Sequence, residues 1–402
     1  MEHAIQQTAD ALGSFAGYIY PNEYFLQWEL LIVLYPYLTG LVAGAFILAS
    51  LERVFRVKAL MPVYRLALLT ALAFLIVAPL PLLVHLGHPE RSFEMFLTPH
   101  LTSAMAMFGF VYAWYLLVVL LLEIWFDYRR DIVIFSQEKK GFLKYFYKLI
   151  TLGATDLSEK AVKFDDKAGK LITFIGIPSA FLLHGYVGFI FGSIKANPWW
   201  SSVLMPVVFL FSAIVSGMAA VLLVYMVTSW FRWKQINMAC LNKLSEFLLY
   251  AMILDIALEI LDFIHRLYES EESIHILSRL VTDRLFISLV ISQLLIGSII
   301  PMFAIAMARF GTLPDEMRRV FYFISAILIQ VGIFSMRWNV VVGGQMFSKS
   351  FHGLTTYKVH LLGLEGLLMT MCLLVMPLII LFVLAKLLPP WLEPDTAKAN
   401  ET

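Results

Sequence analysis

Charge is what this sequence has least of. Of its 402 residues, 15% are Asp, Glu, Lys or Arg and 60% are hydrophobic, where soluble domains average roughly a quarter charged. A soluble chain of this length would fold as two or three domains and would need polar surface that is not here. The formal net charge of +1 provides no basic field, so nucleic acid is not expected as a partner. The two cysteines, Cys240 and Cys372, stand far apart. They exclude an iron–sulfur ligand set within the chain and suggest no disulfide framework. Residues 1–27 hold no Lys or Arg and no apolar core, so no signal peptide is expected.

What the sequence does have is long apolar runs. About 20 mostly apolar residues cross a hydrocarbon core of roughly 30 Å. Stretches that meet this test run 28–50, 63–86, 102–126, 171–194, 203–230, 244–264, 284–308, 320–342 and 359–387. They predict an all-α integral membrane protein of about nine transmembrane helices, the sixth and ninth being the most interrupted by polar residues. Connections are short except for 127–169, a charged segment with room for amphipathic surface helices.

Lys and Arg set the expected orientation, because positive loops stay cytoplasmic. With the N-terminus outside, the cytoplasmic segments carry 20 basic residues and the outer segments 5. This predicts N-out and C-in, and an odd number of spans. A faint repeat adds an internal division: Thr39, Gly40, Ala43 and Gly44 in span 1 recur as Ser212, Ala213, Ser216 and Gly217 in span 5. Small residues at this spacing let helices approach closely in lipid. Ordinary small-residue packing is one reading; the other is a pair of four-helix units. The second gives an extracytoplasmic segment 1–27, a first bundle 28–194 with cytoplasmic loop 127–169, and a second bundle 203–342. An accessory helix 358–387 and a cytoplasmic tail 388–402 complete it.

Three groups of residues could carry chemistry. The loop after span 2 holds His85, His88, Glu90, Arg91, Thr98 and His100 within sixteen residues. Imidazole titrates near pH 6.5 and both donates and accepts hydrogen bonds, as holding a quinone carbonyl and exchanging its protons requires. The alternative is interfacial polar residues satisfying loop backbone groups; the spacing matches no recognised metal set. Span 4 carries His184 about 15 Å from its outer end, near mid-membrane, where a histidine is costly unless it faces protein or a wet cavity. It either carries protons or bonds a neighbouring helix. Span 6 stacks Asp255, Glu259 and Asp262 on one face at i, i+4 and i+7. Arg337 of span 8, at similar depth, is their expected cation, in either a proton path or a static ion pair. Bis-histidine haem needs histidine pairs at matched depth. Only His184 is clearly within a span, which argues against haem.

These residues bring a family into view. The run Tyr35 to Gly44, the stretch His85 to Arg91, and Thr98 to Ser103 carry the resemblance. So do Ile177 to Ala180, His184 to Gly188, Lys195 to Trp199, and Arg337 to Gln345. In these the chain resembles the NrfD/PsrC membrane subunits, the quinone-reactive anchors of polysulfide-reductase-type oxidoreductases. Its length and ninth span are similar to the long forms found in quinone reductase complexes and alternative complex III. The resemblance implies two four-helix bundles without haem or iron–sulfur cluster in this chain, and a menaquinone or ubiquinone site in the first bundle near the outer face. It implies a ferredoxin-type iron–sulfur subunit docked outside, leading to a molybdopterin-type or cytochrome catalytic subunit, in a prokaryotic plasma membrane. It puts His85 and Tyr186 at the quinone, with Thr98, His100, Arg91, Gln27 and Tyr35 near by topology.

The expected function is therefore that of a quinone-reactive subunit, not catalytic alone, in a respiratory oxidoreductase. Proton movement through Asp255, Glu259, Asp262, Arg337 and His184 would accompany it. Secondary transport is the rival from another class, since repeats and intramembrane charges occur there too, but the polar clusters lie mainly at the outer boundary. A passive anchor is the third reading.

Overall fold

The computed structural model describes residues 16–100, 102–269 and 273–391. The first fifteen residues of the expected N-terminal segment and positions 392–402 of the expected tail lie outside the described residues.

Lipid offers no hydrogen bonds, so a chain this apolar must satisfy its backbone internally, and helices do so. Eight helices among the described residues are long and apolar enough to cross a membrane: Leu30–Arg53, Lys58–His85, Ala106–Glu138, Glu159–Gly192, Met205–Phe231, Ile274–Phe310, Asp315–Gln345 and Leu367–Leu387. Between the fifth and sixth of these runs another long helix, Met238–Glu269, which is more polar because it carries Glu246, Asp255, Glu259 and Asp262. Numbered in chain order with this helix as span 6, they are spans 1–9. The chain is an all-α, multi-pass membrane protein, and the large exposed side chains of its spans are apolar ones such as Phe174, Ile287, Phe303, Ile379 and Phe382, as contact with lipid requires.

Spans 1–4 pack 1 on 2, 2 on 3, 3 on 4 and 4 on 1; spans 5–8 close a second ring in the same order, and span 9 lies on span 2. The tightest seam is between the rings, where span 1 meets span 5. A Cβ built on Gly44 would lie 2.1 Å from the Ala213 carbonyl oxygen, and one on Gly217 would lie 2.4 Å from Gly44 Cα. The small residues of the repeat thus pack directly against one another. A second such crossing joins spans 7 and 8 at Gly297 and Gly332.

Several boundaries differ from expectation. Most of 127–169 is helical: span 3 runs on to Glu138, a short helix covers Phe142–Ile150, and span 4 starts at Glu159, capped by Ser158 accepting from the Ala161 N–H. Ion pairs make this extension stable at the charged end, with Arg53 on Asp166, Arg65 on Asp127 and Asp131, and Arg129 on Asp165. Span 9 begins at Leu367 rather than 359, because Gly363, at φ +115°, turns the chain first.

At the opposite end, two-residue strands Ala16–Gly17 and Gly353–Leu354 pair antiparallel. Gln345 bridges the ends of spans 1 and 8. Its side-chain oxygen accepts from the Gln27 and Trp28 N–H groups, and its amide donates to the Trp28 and Val341 carbonyls.

Candidate functional site

Two polar regions emerge from this frame. The first lies at the end of the first ring opposite the charged loops. Span 2 breaks after Val77 at Pro79 and resumes as Leu80–His85, which leaves His85 at the helix end. Its Nδ1 lies 2.8 Å from Glu365 Oε1 of the connector before span 9. On span 1, Glu29 accepts from the Tyr357 hydroxyl at 3.2 Å and sits within electrostatic reach of Glu365, His360 and His85. Tyr357 is a loop phenol whose ionisation is pushed well up, first by burial and then by the carboxylate of Glu29, so it remains a donor.

Roughly 9 Å deeper on span 1, Tyr35 packs edge-on against Phe108 of span 3, with ring centroids 5.3 Å apart. Tyr186 of span 4 stacks on the same Phe108. The Tyr35 hydroxyl is buried and has no hydrogen-bond partner among the described residues. An orphaned buried donor is costly, and this one lies among the packed rings of Phe108 and Tyr186.

The remaining expected members of this site are elsewhere or otherwise engaged. Arg91 is exposed and bonds Glu94, Thr98 bonds the Glu94 carbonyl, and His100 bonds Thr102. Partners two to four residues away and solvent satisfy these groups locally, so the loop folds on itself rather than onto His85. Gln27 is exposed and contributes its backbone N–H to Gln345.

The second region is the seam between the rings. Arg337 of span 8 is fully buried, as are His184, Thr39 and Ser212. Arg337 Nη2 lies 3.1 Å from His184 Nε2 and 2.7 Å from Ser212 Oγ, with the guanidinium carbon 4.1 Å from the centre of the Phe209 ring. An arginine can only donate, so His184 accepts at Nε2 and carries its proton on Nδ1, which faces Thr39 Oγ1 at 3.3 Å. Thr39 of span 1 and Ser212 of span 5 flank this contact from the two rings. The His184–Arg337 contact therefore lies on the seam where the two rings meet.

The expected pairing of Arg337 with the span 6 acids is corrected here. Asp262 binds Arg266, one turn along its own helix, at 2.8 Å and also accepts from Ser202. Glu259 accepts from Gln293 at 3.0 Å, and Gln293 accepts from Asn339 at 2.8 Å. Asp255 is buried with Oδ1 unpartnered among the described residues. Span 8 turns Arg337 toward spans 4 and 5, and Arg266 is close enough in sequence to reach Asp262 first. Glu259, Asp262, Arg266, Gln293 and Asn339 line a cavity of about 70 Å³, room for a few waters. Glu365, Tyr357 and Gln293 are functional candidates that sequence reasoning missed. A lone glutamine inside the charge-free run 285–308 and a lone acid at the head of span 9 were the available signals.

Fold and polar interior together define a multi-pass membrane protein with ionisable and hydrogen-bonding groups at one mouth and along its seam. The sequence profile described as "Polysulphide reductase, NrfD" matches residues 21–349, and the chain belongs to that family, whose members are membrane subunits of oxidoreductase complexes. It is 32% identical over 326 residues to a selenate reductase subunit of Mesobacillus selenatarsenatis, covering 79% of this chain and 74% of that protein. It is 28% identical over 206 residues to a putative dimethyl sulfoxide reductase membrane subunit of Halobacterium salinarum, covering 49% and 42%. "Protein NrfD" of Escherichia coli is 28% identical over 204 residues, 49% of this chain and 59% of that one.

Proposed function

We propose that this chain is the quinone-reactive membrane subunit of a respiratory oxidoreductase in a prokaryotic plasma membrane, oriented N-out and C-in. A menaquinone or ubiquinone head would bind at the mouth of the first ring, on the extracytoplasmic side. Electrons would pass between it and a ferredoxin-type iron–sulfur subunit, and through that to a molybdopterin-type or cytochrome catalytic subunit. The quinone, when bound, supplies two-electron, two-proton redox chemistry. The residues supply the rest. Tyr35 and Tyr186 offer hydroxyl donors against the Phe108 ring, and His85 takes or returns a proton at its ring. The observation that carries this reading is the buried, unpartnered Tyr35 hydroxyl beside Phe108 and Tyr186, at the same end as the His85–Glu365 pair. Selenate and dimethyl sulfoxide reductases in the relatives' names support a reductase complex.

A companion reading concerns protons. Asp255, Glu259 and the cavity beside Asp262 would supply a polar route through the second ring, with Arg337, bonded to His184, within electrostatic reach of both acids. The unpartnered Asp255 oxygen favours proton exchange there over a saturated ion pair.

The test of quinone reactivity uses the purified complex. His85→Ala and Tyr186→Phe are each expected to lower quinone-coupled electron transfer by about ten-fold or more, the scale of lost acid–base and positioning groups, with the complex intact. Wild-type rates and quinone affinity in both variants would remove the site from this mouth.

A further inference from the structure

The matched family region ends at residue 349, yet the partner of His85 lies beyond it. We propose that Glu365 is the positioning residue of His85, and that the connector 357–366 completes the mouth of the first ring. This rests on the reading of His85 as a quinone-headgroup residue.

The connector is built rather than loose. Tyr357 bonds Glu29 on span 1, and its ring packs against Trp338 of span 8. Gly363 makes the turn at φ +115°, a conformation that favours glycine. The Leu367 N–H then bonds the His360 carbonyl at 2.8 Å. Glu365 is thus delivered to a residue 280 positions away by a segment tied to spans 1 and 8. Glu29, Tyr357 and His360 are further titratable groups at this mouth.

A neighbouring pair shows what a surface contact looks like here. His88 and Glu90 are two residues apart, and their side chains are 75% and 67% exposed. His85 and Glu365 are 25% and 30% exposed and come from opposite ends of the chain. Water competes far less for the second pair.

The chemistry follows from which group can donate. An ionised carboxylate accepts only, so a hydrogen bond to Glu365 keeps the proton of a neutral His85 on Nδ1 and makes Nε2 the acceptor. A hydroxyl proton reaching Nε2 breaks one O–H bond and forms one N–H bond, and the new positive charge stands against the carboxylate. The same pair returns the proton in the opposite direction. Glu365 need not touch the quinone; it sets the tautomer of the group that does.

The test compares wild type, Glu365→Gln, His85→Gln and the double variant in the assembled complex. Turnover is split into kcat and KM, binding of a hydroxyquinoline-class quinone analogue is measured on the resting complex, and nitrogen NMR on labelled histidine reads the ring tautomer. Glu365→Gln is expected to lower kcat by roughly ten- to hundred-fold, the range seen when the group orienting a histidine is lost, with KM little changed. In the His85→Gln background it should add almost nothing. The wild-type resting complex should show His85 protonated on Nδ1. If His85→Gln is impaired while Glu365→Gln keeps wild-type kcat, or if the wild-type ring is protonated on Nε2, the positioning role is wrong and the quinone site stands. If His85→Gln keeps wild-type turnover and analogue affinity, the site itself falls and the role of Glu365 with it.

Discussion

Arg337 Nη2 lies 3.1 Å from His184 Nε2, and this contact joins the two helix rings across their seam. A guanidinium buried without a bonded carboxylate is unusual, because desolvating a cation normally requires a paired anion. Here Ser212, the Phe209 carbonyl and the face of the Phe209 ring share the task. Asp255 and Glu259 act on it only at longer range.

Arg337→Ala should accordingly destabilise the complex by about 1–3 kcal/mol, the scale for leaving the buried His184 and Ser212 groups without their hydrogen-bond partner. His184→Ala, which loses one hydrogen bond and a ring contact, should cost roughly 1–3 kcal/mol. The double variant should cost less than the sum, since the residues share a bond. Thermal unfolding of the three variants in one detergent checks this, and strict additivity would mean that the contact carries little energy.

The seam between spans 1 and 5 makes its own prediction. A methyl group on Gly44 would collide with span 5 backbone, which cannot rotate away as a side chain can. Gly44→Ala should therefore cost about 1–3 kcal/mol, the range for overpacking a tight interior. Gly185→Ala is the control, because its Cβ would find its nearest atom at 3.8 Å. Unfolding temperatures should separate the two, and equal temperatures would show that the seam yields.

Asp255→Asn keeps shape and most hydrogen bonding but removes an exchangeable acid. Proton uptake per electron in liposomes should drop, with thermal stability close to wild type. If the ratio is unchanged while quinone turnover continues, the acids of span 6 are structural.

Much of the fold was legible because a membrane restricts what a chain can do. Runs of apolar residues became spans since nothing else satisfies their backbone in lipid. The repeat Thr39–Gly44 and Ser212–Gly217 marked the helices that touch, because only small residues permit that approach. Span 6 was legible as a helix with one acidic face from the i, i+4, i+7 spacing of Asp255, Glu259 and Asp262. The extension of span 4 back to Glu159 was harder to read. Its charged first turns look like loop in a hydropathy reading, and the Ser158 cap with the pairs to Arg53 and Arg129 holds them as helix.

Spacing could not say which polar groups meet. Depth along a helix placed Arg337 level with the span 6 acids, but depth says nothing about rotation. The packing of span 8 against span 5 turned the guanidinium to His184 and Ser212 instead. Likewise His85 stood out in the sequence as one histidine of a crowded loop. The loop satisfied His88, His100 and Arg91 among its own residues, while the turn at Gly363 brought Glu365 to His85 from the far end of the chain. Periodicity and composition are local, so they determined the helices and their faces. Which faces look at each other depends on contacts hundreds of residues apart, and only the tertiary structure decided that.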